Sequence, residues 1–177
     1  MKTSLLVLLF ASTTFTFAQR TATWPDDWLG TWKGELFLER PGQDSARSFA
    51  MALEISATER DHVWNWVIIY GEGEKQDRRE YLLIAQDSIF SHFVMDEQNS
   101  ILLDQYRIGN RMYSRFSVDS TMLVSVSKVE GDVMEAEIWT GPLAGKKTGE
   151  SLPEGEQYDI FSFPLKSVQT SRLFRQK

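Results

Sequence analysis

Arg111, Tyr113 and Arg115 alternate along one stretch of the chain, so on a β-strand their side chains share a face. Met112, Phe116 and Val118 hold the opposite face. If that apolar set faces outward against a partner, the arginines line an interior; if it faces a core, they lie in water. Arg172 and Phe174 share a face in the same way near the end of the chain, and Arg78-Arg79 stands beside a turn, where it meets either an acidic ligand or solvent. Trp66, in a run of tryptophan, valine and isoleucine, offers an indole face to an apolar pocket.

The other candidate groups argue against catalysis. His62 and His92 are the only histidines and there is no cysteine, so no histidine-rich or thiolate metal site can be assembled. His62 follows Glu59-Arg60-Asp61 in a polar turn, and His92 lies in phase with Phe90 and Val94. Both read as satisfied or solvated histidines rather than a haem ligand or a general base. Asp96 and Glu97 are neighbours, so on a strand they point to opposite faces and cannot flank one substrate atom. Asp96 reads as a turn residue together with Asn99. No serine sits in a nucleophile elbow and no glycine-rich phosphate loop is present. No catalytic residue, metal or cofactor is expected.

The first residues are set apart from the fold. Met1-Lys2 precedes an apolar run from Leu5 to Phe10, and Thr16-Phe17-Ala18 supplies the small residues that signal peptidase reads. The run is too short to span a bilayer, which takes roughly 20 apolar residues. We expect residues 1–18 to be an export signal, residues 19–177 to be one domain, and the mature protein to be periplasmic or secreted. Against 25 acidic residues stand 19 basic ones, interspersed, which argues against nucleic acid as a partner. Without cysteine, stability must come from strand pairing and apolar burial.

Alternation of period two runs from Gly30 onward and predicts strands rather than helices. Trp32, Leu36 and Leu38 face one way in the first; Phe49, Met51, Leu53 and Ile55 share a face in the second. Residues 63–72 mix apolar residues on both parities, as in a strand covered on both faces. Further strands are expected over 79–86, 89–95, 101–103, 112–118, 122–126, 133–139 and 168–175, joined by short polar turns. Residues 140–157, with four glycines and two prolines, read as a long loop. About ten strands with tight turns form either a sandwich or a barrel, and an up-and-down barrel removes the exposed edges by pairing the last strand with the first. A barrel of that size can hold a small ligand.

The stretch Trp28-Leu29-Gly30-Thr31-Trp32-Lys33-Gly34 resembles the opening strand of lipocalin-like (calycin) barrels, which begin with Gly-x-Trp. The resemblance implies an arginine near the last strand packed across the tryptophan at the closed end, here Arg172 or Arg175. Gly30, Trp32 and Arg172 are the expected closure residues. In pattern the chain is nearest to nitrobindin-type and fatty-acid-binding-protein-like ten-stranded barrels, with two departures. The 39–47 link has no room for the helical pair of fatty-acid-binding proteins, and no histidine follows His92 to serve as a nitrobindin-like haem ligand. Arg172 and Phe174 resemble the carboxylate-binding pair of fatty-acid-binding proteins, with phenylalanine replacing tyrosine.

These readings converge on an all-β, single up-and-down antiparallel barrel, exported and non-catalytic. It is expected to bind a small apolar or amphipathic molecule through Trp66, Arg111, Tyr113, Arg115, Arg172 and Phe174. Two alternatives stay open: a barrel-type lyase or isomerase with a buried acid–base group, and a protein-binding module whose barrel is filled by its own side chains. The leader yields the first test. The intact mass of the secreted form should correspond to a chain beginning at Gln19, with or without cyclisation. A mass that retains residues 1–18 would remove both the cleavage site and the exported location.

Overall fold

The computed structural model describes residues 22–151 and 157–177; the expected leader and its cleavage site lie outside them. The strands are β1 (Gly30–Glu39), β2 (Arg47–Ala57), β3 (Val63–Tyr70), β4 (Asp77–Ala85), β5 (His92–Asp96), β6 (Leu102–Ile108), β7 (Arg111–Val118), β8 (Thr121–Glu130), β9 (Val133–Pro142), β10 (Lys146–Ser151), β11 (Gln157–Ser162) and β12 (Ser167–Arg175). Ten of them close into one antiparallel barrel in the order β1-β12-β9-β8-β7-β6-β5-β4-β3-β2, and β10 pairs with β11 as a separate hairpin. Sequence neighbours pair throughout, except where β12 skips the hairpin to pair with β9 and then closes on β1. Closure leaves no unpaired edge among the ten barrel strands, as the alternating pattern and short turns imply.

Alternation sorts each strand into an inner and an outer face. Trp32, Leu53, Ile55, Trp64, Trp66, Leu83, Phe93, Met95, Met112, Val129, Met134 and Leu173 are buried in one continuous core cluster. In β3 the opposite parity, Val63, Val67 and Ile69, is buried as well, which matches its mixed apolar pattern. The core fills one end of the barrel. A turn from Ala22 to Leu29 crosses that end: Asp27 accepts from the amide and hydroxyl of Thr23, at 2.7 and 3.0 Å, and Trp28 N–H donates to the Pro25 carbonyl at 2.8 Å. The turn drives Trp24 and Trp28 inward, where Trp24 meets Trp64 and Phe93 edge-on at 4.9 and 5.2 Å and Trp28 lies 6.3 Å from Trp66.

The first and last strands hold this floor in place. The Trp32 indole donates to the Trp28 carbonyl at 3.0 Å, and the Arg175 guanidinium lies over the Trp32 ring at 4.1 Å. Arg175 also donates to the carbonyls of Leu29 and Asp27, the latter at 2.6 Å, and pairs with Asp132 at 3.2 Å. One cation thereby binds the turn, the first strand and the β8–β9 turn. The closure arginine is Arg175, and the expectation of Arg172 in that place is corrected. In the register Trp32 stands opposite Arg175 and Gly34 opposite Leu173. With Leu173 fully buried, Arg175 shares its inward parity, whereas Arg172 points out toward Glu135.

Two glycines of the opening strand have backbone roles. Gly30 sits at φ +128, and a Cβ there would stand 3.1 Å from the Arg175 guanidinium. A side chain would strain the backbone and press on the clamp. At Gly34 a Cβ would lie 2.1 Å from the Arg172 carbonyl oxygen, so only glycine lets β12 come this close.

The other end of the barrel is open. The β1–β2, β3–β4, β5–β6 and β7–β8 turns and the β9–β12 connection emerge there. That connection differs from the expected loop over 140–157, because residues 146–151 and 157–162 pair as a hairpin with register shifts. Glycines and lysines conceal it in the sequence, since they carry little strand propensity. Strand β5 also begins later than expected. The Asp87 carboxylate accepts from the Ser91 and His92 amides at 2.8 and 3.0 Å, turning residues 87–91 into a loop.

The clamp is tested by a double-mutant cycle. Trp32→Ala should cost about 3–5 kcal/mol, as truncation of a buried tryptophan does. Arg175→Ala should also destabilise, and the two should couple by ~0.5 kcal/mol or more in denaturant melts because they touch. Arg172→Ala should change stability little. Additive effects of Trp32→Ala and Arg175→Ala would mean that the clamp contributes nothing.

Candidate functional site

Above the core the barrel encloses a cavity of about 880 Å³ that opens at the end opposite the clamp. Its floor is apolar: Leu53, Trp66, Met95, Met134 and Leu173. Met51, Ile68 and Leu103 continue the apolar wall, and Ser125, Ser127 and Gln169 supply hydroxyl and amide groups on the β8 and β12 side. Phe49, Ile101 and Val118 stand at the mouth and remain substantially exposed.

One wall is polar and charged. On the inward face of β4 stand Asp77, Arg79 and Tyr81, opposite Tyr70, Ile68 and Trp66 of β3. The Arg79 Nε and Nη2 atoms both donate to Asp77 Oδ2, at 3.0 and 2.9 Å, and the guanidinium lies 5.2 Å from the centre of the Tyr70 ring. Glu97 directly follows the end of β5: Leu82 is opposite Asp96, so the adjoining residues Tyr81 and Glu97 are neighbours at the cavity wall. Asp96 turns away, capping the Gln98 amide at 2.7 Å.

Burial pushes the Tyr70 phenol up, and the charge of Arg79 only partly opposes this. Tyr81 is raised by burial and then by the Glu97 charge, with Arg79 again opposing. Both rings therefore present neutral hydroxyls to the cavity at neutral pH. The Arg79 guanidinium is raised by its hydrogen bond to Asp77 and stays charged.

Of the six residues expected to bind ligand, the structure places Trp66 at the cavity floor and the other five on the outer surface. Met112 and Phe116 face inward, so Arg111, Tyr113 and Arg115 face out. Arg172 and Phe174 follow because Leu173 is the inward residue. Arg111 and Arg172 do come near each other, beside Lys128 and Glu135, in a separate outer groove of about 490 Å³. There Lys128 bridges Glu130 and Glu135, each at 3.2 Å. His92 also points outward, bonded to Asp104 at 2.8 Å and stacked on Tyr106. Arg78 pairs outside the barrel with Glu54 and Glu80.

Sequence reasoning weighed Arg79, against an acidic ligand or solvent, and Glu97, beside Asp96, but missed the wall that they form with Tyr70, Asp77 and Tyr81. A signal was present. Arg79 and Tyr81 form an arginine-x-tyrosine pair in phase with Leu83, a core residue, so a strand that buries Leu83 must aim both into the barrel. Among the described residues no group of three or more histidine, cysteine, aspartate or glutamate side chains is arranged to hold a metal ion.

The raised phenols make a pH prediction. A folded-state tyrosine pKa above the unfolded value near ~10 contributes stability that is complete below that value and is lost as pH rises through the folded pKa. The phenolate absorbance step that disappears in Tyr70→Phe should therefore lie above ~10, and the native protein should lose stability as that step is crossed. A step at or below the ordinary tyrosine value would mean that the wall is wet.

No family model and no curated protein matches the chain. Among solved structures, a protein of unknown function of the DUF3598 family from Nostoc punctiforme is similar at a TM-score of 0.61 and 11% identity. The match covers 89% of this chain and 51% of the other, so the chain spans about half the length of that neighbour. At this identity the likeness is one of fold, and the shared fold is the barrel.

Proposed function

We propose that the chain is an exported, lipocalin-like barrel that binds a small apolar or amphipathic molecule in its cavity without turning it over. The observation that carries this reading is the cavity itself. Its volume of about 880 Å³ falls within the ~300–1,000 Å³ typical of small-molecule sites. It is closed below by the tryptophan floor and open above through a mouth edged by Phe49, Ile101 and Val118. An apolar body resting on Leu53, Trp66, Met95 and Met134 would leave water, while a polar head would reach the wall near the mouth. The Gly30-x-Trp32 opening and the arginine over Trp32 support the lipocalin-like comparison, and the leader supports export.

The rival readings draw less support. A lyase or isomerase needs a buried acid–base group, yet Asp77 and Arg79 are bonded to each other with side chains 54% and 51% exposed. A protein-binding module with a filled barrel does not need the open cavity.

The test is a titration with dodecanol, followed by tryptophan fluorescence, which reports on Trp66 at the floor. Binding should be saturable and stoichiometric. Ser125→Phe, which places a ring in the cavity from β8, should weaken it by at least about ten-fold, a change of ~1.4 kcal/mol. No saturable binding, or binding indifferent to Ser125→Phe, would contradict a cavity ligand.

A further inference from the structure

We infer that the cavity's occupant carries a protonated amine and that Glu97 receives it, an inference that rests on the ligand-binding reading above. The charged residues lining the cavity are Asp77, Arg79, Glu97 and Glu137, and Glu137 accepts from the Trp139 indole on its own strand. Arg79 is engaged, since its Nε and Nη2 both donate to Asp77. Glu97 has no such partner: among the described residues no cation pairs with it, and it accepts only a long 3.4 Å contact from the Asn99 side-chain amide.

An occupant with a carboxylate head would add a further negative charge to a lining with three carboxylates and one cation. Like charges in a half-dry site repel, and an unpaired charge is costly to enclose. A neutral occupant would leave Glu97 uncompensated once the mouth is filled. An ammonium offsets the negative excess of the lining and supplies the hydrogen-bond donors that Glu97 lacks.

The surrounding rings fit the same chemistry. Tyr81 adjoins Glu97, just past the end of β5, and Tyr70 stands further along the same wall. Their faces attract a cation over the ring, as the Arg79 guanidinium over Tyr70 already demonstrates. Trp66, opposite Tyr81, leads from this point to the apolar floor. The fitting ligand class is an apolar chain or ring system ending in an amine, head at Glu97 and body on Trp66 and Met95.

The experiment compares dodecylamine, dodecanol and dodecanoate, each below its micelle-forming concentration, by calorimetric titration at neutral pH. Dodecylamine should bind at least about ten-fold more tightly than dodecanol, and dodecanoate should bind most weakly. In Glu97→Gln the advantage of the amine over the alcohol should disappear, which separates a site effect from attraction to an acidic protein. If that variant does not fold, the wild-type ranking alone decides. Equal binding of amine and alcohol, or tightest binding of dodecanoate, would overturn the inference while leaving the cavity reading intact. Binding of none of the three would overturn both.

Discussion

The contact of Arg175 with Trp32 is the constraint on which the rest of this barrel depends. A closed sheet has two ends, and both must be reconciled with a core too small to fill the whole interior. Here the indole of Trp32 receives a guanidinium on its face and gives its N–H to the Trp28 carbonyl. The same guanidinium reaches the carbonyls at the end of the N-terminal turn. A cation–π contact of this kind is worth about 0.5–2 kcal/mol, and hydrogen bonds to a charged donor about 1.5–3 kcal/mol each. Their sum is comparable with a substantial part of the ~5–15 kcal/mol that holds a domain folded. The contact is also topological, since Trp32 lies in the first strand and Arg175 at the end of the last. Without it the turn that carries Trp24 and Trp28 keeps only the Trp32 indole hydrogen bond and its ring packing, and the floor of the cavity is weakened.

From that floor upward the interior changes character. Buried tryptophan, phenylalanine, leucine and methionine give way to serines and glutamine on one side and to the Tyr70–Arg79–Tyr81–Glu97 wall on the other. Side chains at the floor meet across the barrel and exclude water. Nearer the mouth they do not, so space remains. An amphipathic occupant matches this gradient in one orientation, with its apolar part down. The outer surface is of another kind: Arg172, Glu135 and Lys128 alternate in charge across neighbouring strands, an arrangement suited to solvent and to cross-strand pairing.

The all-β class, the turns and the inward set of the first two strands are legible in the sequence because period-two alternation there is clean. Where both parities are mixed, the strand is recognisable but its facing is not. Arg172 and Arg175 lie three residues apart, an odd number, so they must occupy opposite faces, and the choice rests on whether Leu173 or Phe174 is buried. Both are apolar, and only the register against Gly34 decides. Arg111 to Arg115 pose the same question with the apolar alternate at Met112 and Phe116, and the core claims that alternate. Arg79 and Tyr81 were hidden by their neighbours: Arg78, Glu80 and Leu82 give the strand no polarity contrast, and pairing with Trp66 and Ile68 fixes the inward set. The β10–β11 pair was illegible for a different reason, since the lysines and glycine of β10 carry little strand propensity.

The central claim is that an apolar molecule enters through the open mouth and rests on the floor that the clamp supports. Methionine methyl groups report on it directly, because they are placed at different depths. Met51, Met95 and Met134 line the cavity, Met112 is buried inside the core, and Met122 lies outside the lining. With methyl-labelled methionine, titration with dodecanol in the NMR spectrometer should shift Met51, Met95 and Met134 together and saturably, with Met112 and Met122 little changed. Shifts confined to Met122, or equal shifts at all five, would place the probe on the outer surface and contradict the account.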